Sequence, residues 1–241
     1  MRVSAICIAS IACGIFACAA HAASTIDDFS GTQNGANNVL TRTDIGSVST
    51  SEINVIGAIG LQRTTQLTGE LFVDTGIDVV HAGIFPTPGV LDYASSAGAE
   101  GQLTLLYPNS PGDLNADFSA DMLLRIRLTQ YDFPTGEPMN IRVTFEDGAD
   151  QPSRSQIVST PGAQDVIFPF SMFPMGLDFS DIQSVAVEFF PGPATDFRVD
   201  DIVTAVPEPT SLGMLLCASA AMMVRRKNRG NSRAMGDTSP R

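Results

Sequence analysis

The stretch Met122-Leu123-Leu124-Arg125-Ile126-Arg127-Leu128-Thr129 decides the fold class. Read with period two, Met122, Leu124, Ile126 and Leu128 share one face, and Leu123, Arg125, Arg127 and Thr129 share the other. A strand turns successive side chains to opposite faces, so this pattern describes a half-buried antiparallel strand. The alternation recurs downstream. Ile141, Val143 and Phe145 alternate with Arg142, Thr144 and Glu146; Val166, Phe168 and Phe170 repeat it, as do Val185, Val187 and Phe189. Between these runs lie turn formers: Pro108-Asn109-Ser110-Pro111-Gly112-Asp113, Phe133-Pro134-Thr135-Gly136, Glu146-Asp147-Gly148 and Pro191-Gly192-Pro193. No long stretch has the helical period. Ten or so short strands joined by such turns predict an all-β domain, a two-sheet antiparallel sandwich.

Upstream the pattern is less regular. Ile53-Asn54-Val55 and Leu71-Phe72-Val73 read as strands, and Ile56 to Arg63 is punctuated by glycine. A phosphate loop would need Gly-Lys-Ser/Thr after those glycines, and none follows.

The two ends have a different character. Residues 1–22 run from Arg2 through an almost uncharged apolar stretch to Ala20-His21-Ala22. That is the three-part pattern of a secretory signal helix, with small Ala20 and Ala22 where signal peptidase reads and cleavage after Ala22. Cys18 after Ile15-Phe16-Ala17 suggests a lipoprotein, but Phe16 is bulky where lipoproteins prefer a small residue. At the other end, Val206-Pro207-Glu208-Pro209 precedes an uncharged run, 212–224, and a basic cluster, Arg225, Arg226, Lys227 and Arg229. The prolines keep the chain extended, the apolar run can form a short helix, and the cations act as a cytoplasmic stop. Thirteen residues rise only about 20 Å against a hydrocarbon core of about 30 Å, which suits transient anchoring better than a permanent transmembrane helix.

This tail resembles the PEP-CTERM sorting signal: 206–229 carries the motif, the apolar segment 212–224 and the basic cluster 225–229, and a polar tail, 230–241, follows. The resemblance implies processing by an exosortase-type protease near Pro207-Glu208-Pro209. It also implies delivery to the envelope, outer surface or extracellular matrix of a Gram-negative bacterium that makes exopolysaccharide.

Setting both ends aside leaves 23–205 as one domain. It holds 24 Asp and Glu against 7 Arg and no Lys, a net charge of −17 that the whole-chain value of −12 conceals. Such a domain has no basic patch for nucleic acid or anionic lipid. All four cysteines (Cys7, Cys13, Cys18 and Cys217) lie in the ends, so the domain has no disulfide framework, thiol nucleophile or zinc–thiolate site. It holds one histidine, His81, and no Trp.

The domain opens on Ile26-Asp27-Asp28-Phe29 and closes on Val199-Asp200-Asp201-Ile202, with Asp117-Phe118-Ser119 and Phe179-Ser180-Asp181-Ile182 leading into strands. In this it resembles galactose-binding-like jelly rolls of the carbohydrate-binding-module type. The resemblance implies a jelly-roll-like sandwich, a structural calcium near the joined ends, and exposed aromatic residues that stack on sugars. Tyr93, Tyr107 and Tyr131 are the tyrosines available; ordinary sheet packing is their alternative role.

The paired aspartates also have a physical argument. The apolar face of Phe197 and Val199 reaches a carboxylate at Asp201, so either a bulge resets the register or an Asp points inward. A buried carboxylate needs a cation or strong donors. With adjacent terminal strands, Asp27 or Asp28 and Asp200 or Asp201 are candidate ligands for one calcium. Capping turns or pairing with Arg198 is the alternative. The segment Asp113 to Leu124 imitates an EF-hand loop but has Phe118 at the glycine position and Leu124 at the glutamate position. A solvated turn fits it better.

No catalytic constellation stands out. His81 reads as a strand residue, no G-x-S-x-G elbow surrounds a serine, and nothing singles out a glycosidase carboxylate pair. The sequence therefore describes an exported, non-catalytic surface or matrix protein, with a secreted glycan-binding or carbohydrate-active domain as the alternative. Mass spectrometry of the mature protein from its host is expected to find Ala23 at the N-terminus and no basic cluster at the C-terminus. An intact C-terminus in a cell making exosortase would contradict the sorting assignment.

Overall fold

The computed structural model describes residues 23–206, apart from 34, 74–76, 109–113 and 135. The signal segment, Pro207-Glu208-Pro209, the apolar run, the basic cluster and the polar tail lie outside the described residues. Among the described residues no helix is long and apolar enough to cross a membrane.

The period-two runs form strands as read. In chain order the described strands are β1 (Ser24–Asp27), β2 (Asn38–Arg42), β3 (Gly46–Ile53), β4 (Gln62–Phe72), β5 (Val80–Phe85), β6 (Val90–Ser95) and β7 (Ala99–Tyr107). They continue with β8 (Leu123–Asp132), β9 (Met139–Glu146), β10 (Ser153–Val158), β11 (Gln164–Pro169), β12 (Ser184–Phe190) and β13 (Asp196–Ala205). All pair antiparallel, in two sheets. One has the order β11-β8-β13-β6-β5-β2, with β1 also paired to β13; the other has the order β10-β9-β12-β7-β4-β3. The chain crosses repeatedly between them, giving the jelly-roll-like sandwich.

The core lies between the sheets. Ile141, Val143 and Phe145 of β9, Val185, Val187 and Phe189 of β12, and Leu124, Ile126 and Leu128 of β8 are all buried. At one end Phe145 meets Phe118, Phe170, Phe173 and Phe179 edge-on, with ring centroids 5.1–6.2 Å apart. At the other, Phe197 stacks on Tyr93 and Phe189 at 4.9 and 5.0 Å. Aromatic pairs in these geometries add about 0.5–1.5 kcal/mol each beyond their buried area.

Three local readings change. Met122 does not join the inward face of β8; it precedes the strand and is exposed, while its amide donates to the Ala205 carbonyl at 3.0 Å. Ile53 ends β3 rather than opening a strand through Val55, because Asn54 takes a left-handed conformation at φ 58°. The glycine-punctuated segment is a 3-10 turn, Ile59–Leu61, that feeds β4.

Candidate functional site

The terminal aspartates come close in the fold but face different surroundings. β1 pairs with β13, and Asp27 lies opposite Ile202. Asp27 is fully buried between the sheets. Its Oδ2 accepts from Arg63 Nη1 and from the Tyr107 hydroxyl, both at 2.8 Å, and its Oδ1 accepts from the Phe29 amide at 2.8 Å. Arg63, also fully buried, donates through Nη2 to Glu52 Oε2 at 2.9 Å and to the Gly31 carbonyl at 3.0 Å. Burial pushes the Asp27 carboxyl above its ordinary range, while Arg63, the Phe29 amide and Tyr107 pull it back. Burial and then the Asp27 charge hold the Tyr107 hydroxyl well above its ordinary value, so it remains a donor.

Asp28 instead caps the turn, accepting from the Ser30 amide at 2.9 Å. A bulge between Val199 and Asp201 keeps Val199 and Ile202 inward and turns Asp200 and Asp201 outward. There Asp201 pairs with Arg125 at 3.3 Å and Arg127 at 3.5 Å, and Asp200 with Arg127 at 3.7 Å. Asp200 and Asp201 are thus both paired with guanidinium groups, and Arg198 pairs with Asp92 rather than with a terminal aspartate. Among the described residues no group of three His, Cys, Asp or Glu that could hold a metal ion comes together. In the EF-hand-like segment, Asp117 closes an Asx turn on the Ser119 amide, and buried Asp121 accepts from the Thr204 hydroxyl.

The outer face of the six-stranded sheet is the best-formed candidate site. Register aligns Ser49, Gln66, Thr104, Glu188, Arg142 and Ser155 in one row across six strands. A neighbouring row is Ser51, Thr64, Leu106, Ala186, Thr144 and Ser153. Five strand spacings make each row about 24 Å long. At its centre Glu188 holds Arg142 in a fork, Nε to Oε2 and Nη2 to Oε1, both at 2.6 Å, and Gln102 Nε2 donates to Glu188 Oε1 at 2.9 Å. The Arg142 guanidinium lies 4.8 Å over the ring of half-buried Phe190. The row offers hydroxyls, amides and an ion pair, with a partly exposed aromatic ring beside it, all on strands.

The seven-stranded sheet is more heavily charged outside. Arg127 stands among Asp165, Asp200 and Asp201. Asp132 and Asp196 are direct cross-strand partners, and burial followed by the Asp132 charge pushes the Asp196 carboxyl up. His81 is exposed on β5, with Thr41 and Ala94 as its cross-strand partners and no serine opposite it.

All three tyrosines are core residues: Tyr93 donates to the Gly101 carbonyl, Tyr107 to Asp27, and Tyr131 to the Val158 carbonyl. Phenylalanines supply partly exposed rings, among them Phe190 and Phe85 on the outer sheet faces, which the sequence reading did not single out. Arg142 and Glu188 were legible as outward positions, but nothing in the sequence set them side by side. Arg63 alternates in step with inward Thr65 and Leu67, which was the available sign of its burial.

No family model matches this sequence, and no curated protein matches it. Solved structures give remote likenesses. One is a family 11 carbohydrate-binding module from Clostridium thermocellum in complex with a β-1,3-1,4-mixed-linked tetrasaccharide: 14% identity, 76% of this chain and 95% of that one, TM-score 0.37. Another is TmCBM61 in complex with β-1,4-galactotriose: 8% identity, 75% and 97% coverage, TM-score 0.30.

Replacing Arg63 leaves two buried carboxylates without their cation. Arg63→Met is expected to destabilise the domain by about 3–5 kcal/mol, read as a lower urea midpoint. The loss should shrink in an Asp27→Asn background, because the two side chains are directly coupled. Equal losses in both backgrounds would show that the pair does not act as a unit.

Proposed function

We propose that this chain is an exported, envelope-sorted, non-catalytic module that holds a neutral, hydroxyl-rich polysaccharide along the outer face of its six-stranded sheet. The observation that carries this reading is the row Ser49–Gln66–Thr104–Glu188–Arg142–Ser155, with Phe190 beneath Arg142. Sugars present hydroxyls that both donate and accept, and apolar ring faces that stack on aromatics. An ion pair flanked by amides and hydroxyls serves the first, and the part of the Phe190 ring left exposed beside Arg142 serves the second. Because these groups stand on paired strands, little ordering is lost on binding.

Charge selects the class of glycan. The domain's net charge of −17 repels uronic-acid or sulfated chains. Near this sheet Glu100 is pushed up by burial, then by Glu70 and Glu137, a local excess of negative charge. The signal segment and the PEP-CTERM-like tail support an address at the envelope, where exopolysaccharide would be the partner and signal peptidase and an exosortase-type protease the processing enzymes.

Affinity electrophoresis of the full chain through gels containing mixed-linkage β-glucan, β-1,4-galactan, xylan or alginate tests the reading. At least one neutral polymer should retard the protein and alginate should not. Arg142→Ala and Glu188→Ala should each weaken retardation roughly tenfold, the loss of a charged hydrogen bond. Retardation by alginate alone, or by none of the polymers, would overturn it.

A further inference from the structure

The opposite face, the outer surface of the seven-stranded sheet, carries a recess. It is about 220 Å³ in volume, lined by Phe85, Thr87, Pro88, Val90, Asp92 and Arg198. We propose that it is a subsite for a single neutral pyranose ring, separate from the six-stranded face.

Register assembles it. Gly83 of β5 lies opposite Asp92 of β6, Asp92 lies opposite Arg198 of β13, and Phe85 lies opposite Val90. Alternation puts Phe85, Asp92 and Arg198 on the same outer surface. Gly83 makes room for the aromatic wall: a Cβ there would come within 2.7 Å of Phe85 Cε2 and 3.2 Å of Val39 Cγ2. The Phe85 ring therefore lies across the backbone of Gly83. The turn from β5 to β6 supplies the rim. It is closed by the Gly89 amide donating to the Phe85 carbonyl at 2.9 Å, and its Pro88 has a ring-locked φ.

The polar side of the recess is a bound pair, not a lone charge. Arg198 Nη2 donates to Asp92 Oδ2 at 2.7 Å, and the two side chains are 40% and 33% exposed. The pair uses one carboxylate oxygen and one guanidinium nitrogen on each other. A carboxylate has a second accepting oxygen and a guanidinium has five N–H donors. Two adjacent hydroxyls of a sugar can thus donate to Asp92 and accept from Arg198, with the apolar ring face against Phe85 and Pro88. The volume admits one small ring and not a chain. Asp196 and Asp132, in the next row, disfavour an anionic ring.

This subsite does not depend on the proposal for the six-stranded face. With a chain on the six-stranded face and a terminal or branch sugar ring of another strand in this recess, one molecule would bridge the two.

The test is two-dimensional amide NMR of the full chain titrated with methyl β-glucopyranoside, methyl β-galactopyranoside and methyl α-mannopyranoside. At least one should give saturable millimolar shifts centred on the amides of Gly83, Phe85, Asp92 and Arg198. Phe85→Leu, which keeps apolar bulk but removes the ring, and Arg198→Lys, which keeps charge but removes the guanidinium's remaining N–H donors, should each weaken binding roughly tenfold. Arg142→Ala should leave these shifts unchanged, which separates this subsite from the polysaccharide face. Absence of saturable shifts with all three glycosides, or shifts that persist undiminished in both folded variants, would overturn the assignment.

Discussion

One buried guanidinium ties the two sheets together. Arg63 points inward from β4 of the six-stranded sheet, and Asp27 meets it from β1 of the seven-stranded sheet. Glu52 of β3 and Tyr107 of β7 complete the set. An isolated charge at that depth costs several kcal/mol, and only a nearly complete set of partners offsets it. The requirement has consequences outside the core. It fixes β1 on the edge of β13, and it fixes the register of β3 against β4. A slip of one residue would carry Arg63 to solvent and Thr64 inward. Because Arg63 must face in, Thr64 and Gln66 must face out, and they line the candidate polysaccharide face.

The fold class was legible because alternation is a local signal. In β8, β9, β11 and β12 each strand names its own inward face, and the observed burial follows it except at Met122. The bulge near Asp201 was also legible, as one of two ways to reconcile an apolar face with a carboxylate. The partners of Asp27 and Asp201 were not. A carboxylate can be satisfied by a cation or by guanidinium donors, and the choice lies with residues far away in the chain: Arg63 is 36 positions from Asp27, and Arg125 is 76 from Asp201. The candidate faces were hidden for the same reason. Arg142 and Glu188, 46 positions apart, become neighbours only through the pairing of β9 with β12.

The aromatic residues show how composition can mislead. Tyrosine was the natural candidate for sugar stacking, yet each hydroxyl serves a buried acceptor. Phenylalanine has no hydroxyl to satisfy, so its ring is free to sit at the border between core and solvent. Phe190 ends β12 under Arg142, and Phe85 ends β5 over Gly83. Both occupy strand termini, where the apolar pattern passes from the core to the rim.

Stability does not account for the charged ladders on the two faces. Exposed ion pairs contribute about 0–1 kcal/mol at most, and salt weakens them further. Five of the domain's seven arginines are nonetheless far from scattered. Arg63 is buried, Arg142 and Arg198 are held against carboxylates beside phenylalanine rings, and Arg125 and Arg127 pair with Asp201. In a chain so rich in acid, a neutralised carboxylate is a rarer surface feature than a free one. Pairing removes the charge but keeps donors and acceptors in fixed positions, which is the chemistry a neutral, hydroxyl-bearing ligand requires. Among the described residues, Arg142 over Phe190 and Arg198 in the recess with Phe85 are therefore places where this surface differs from a merely solvated acidic one.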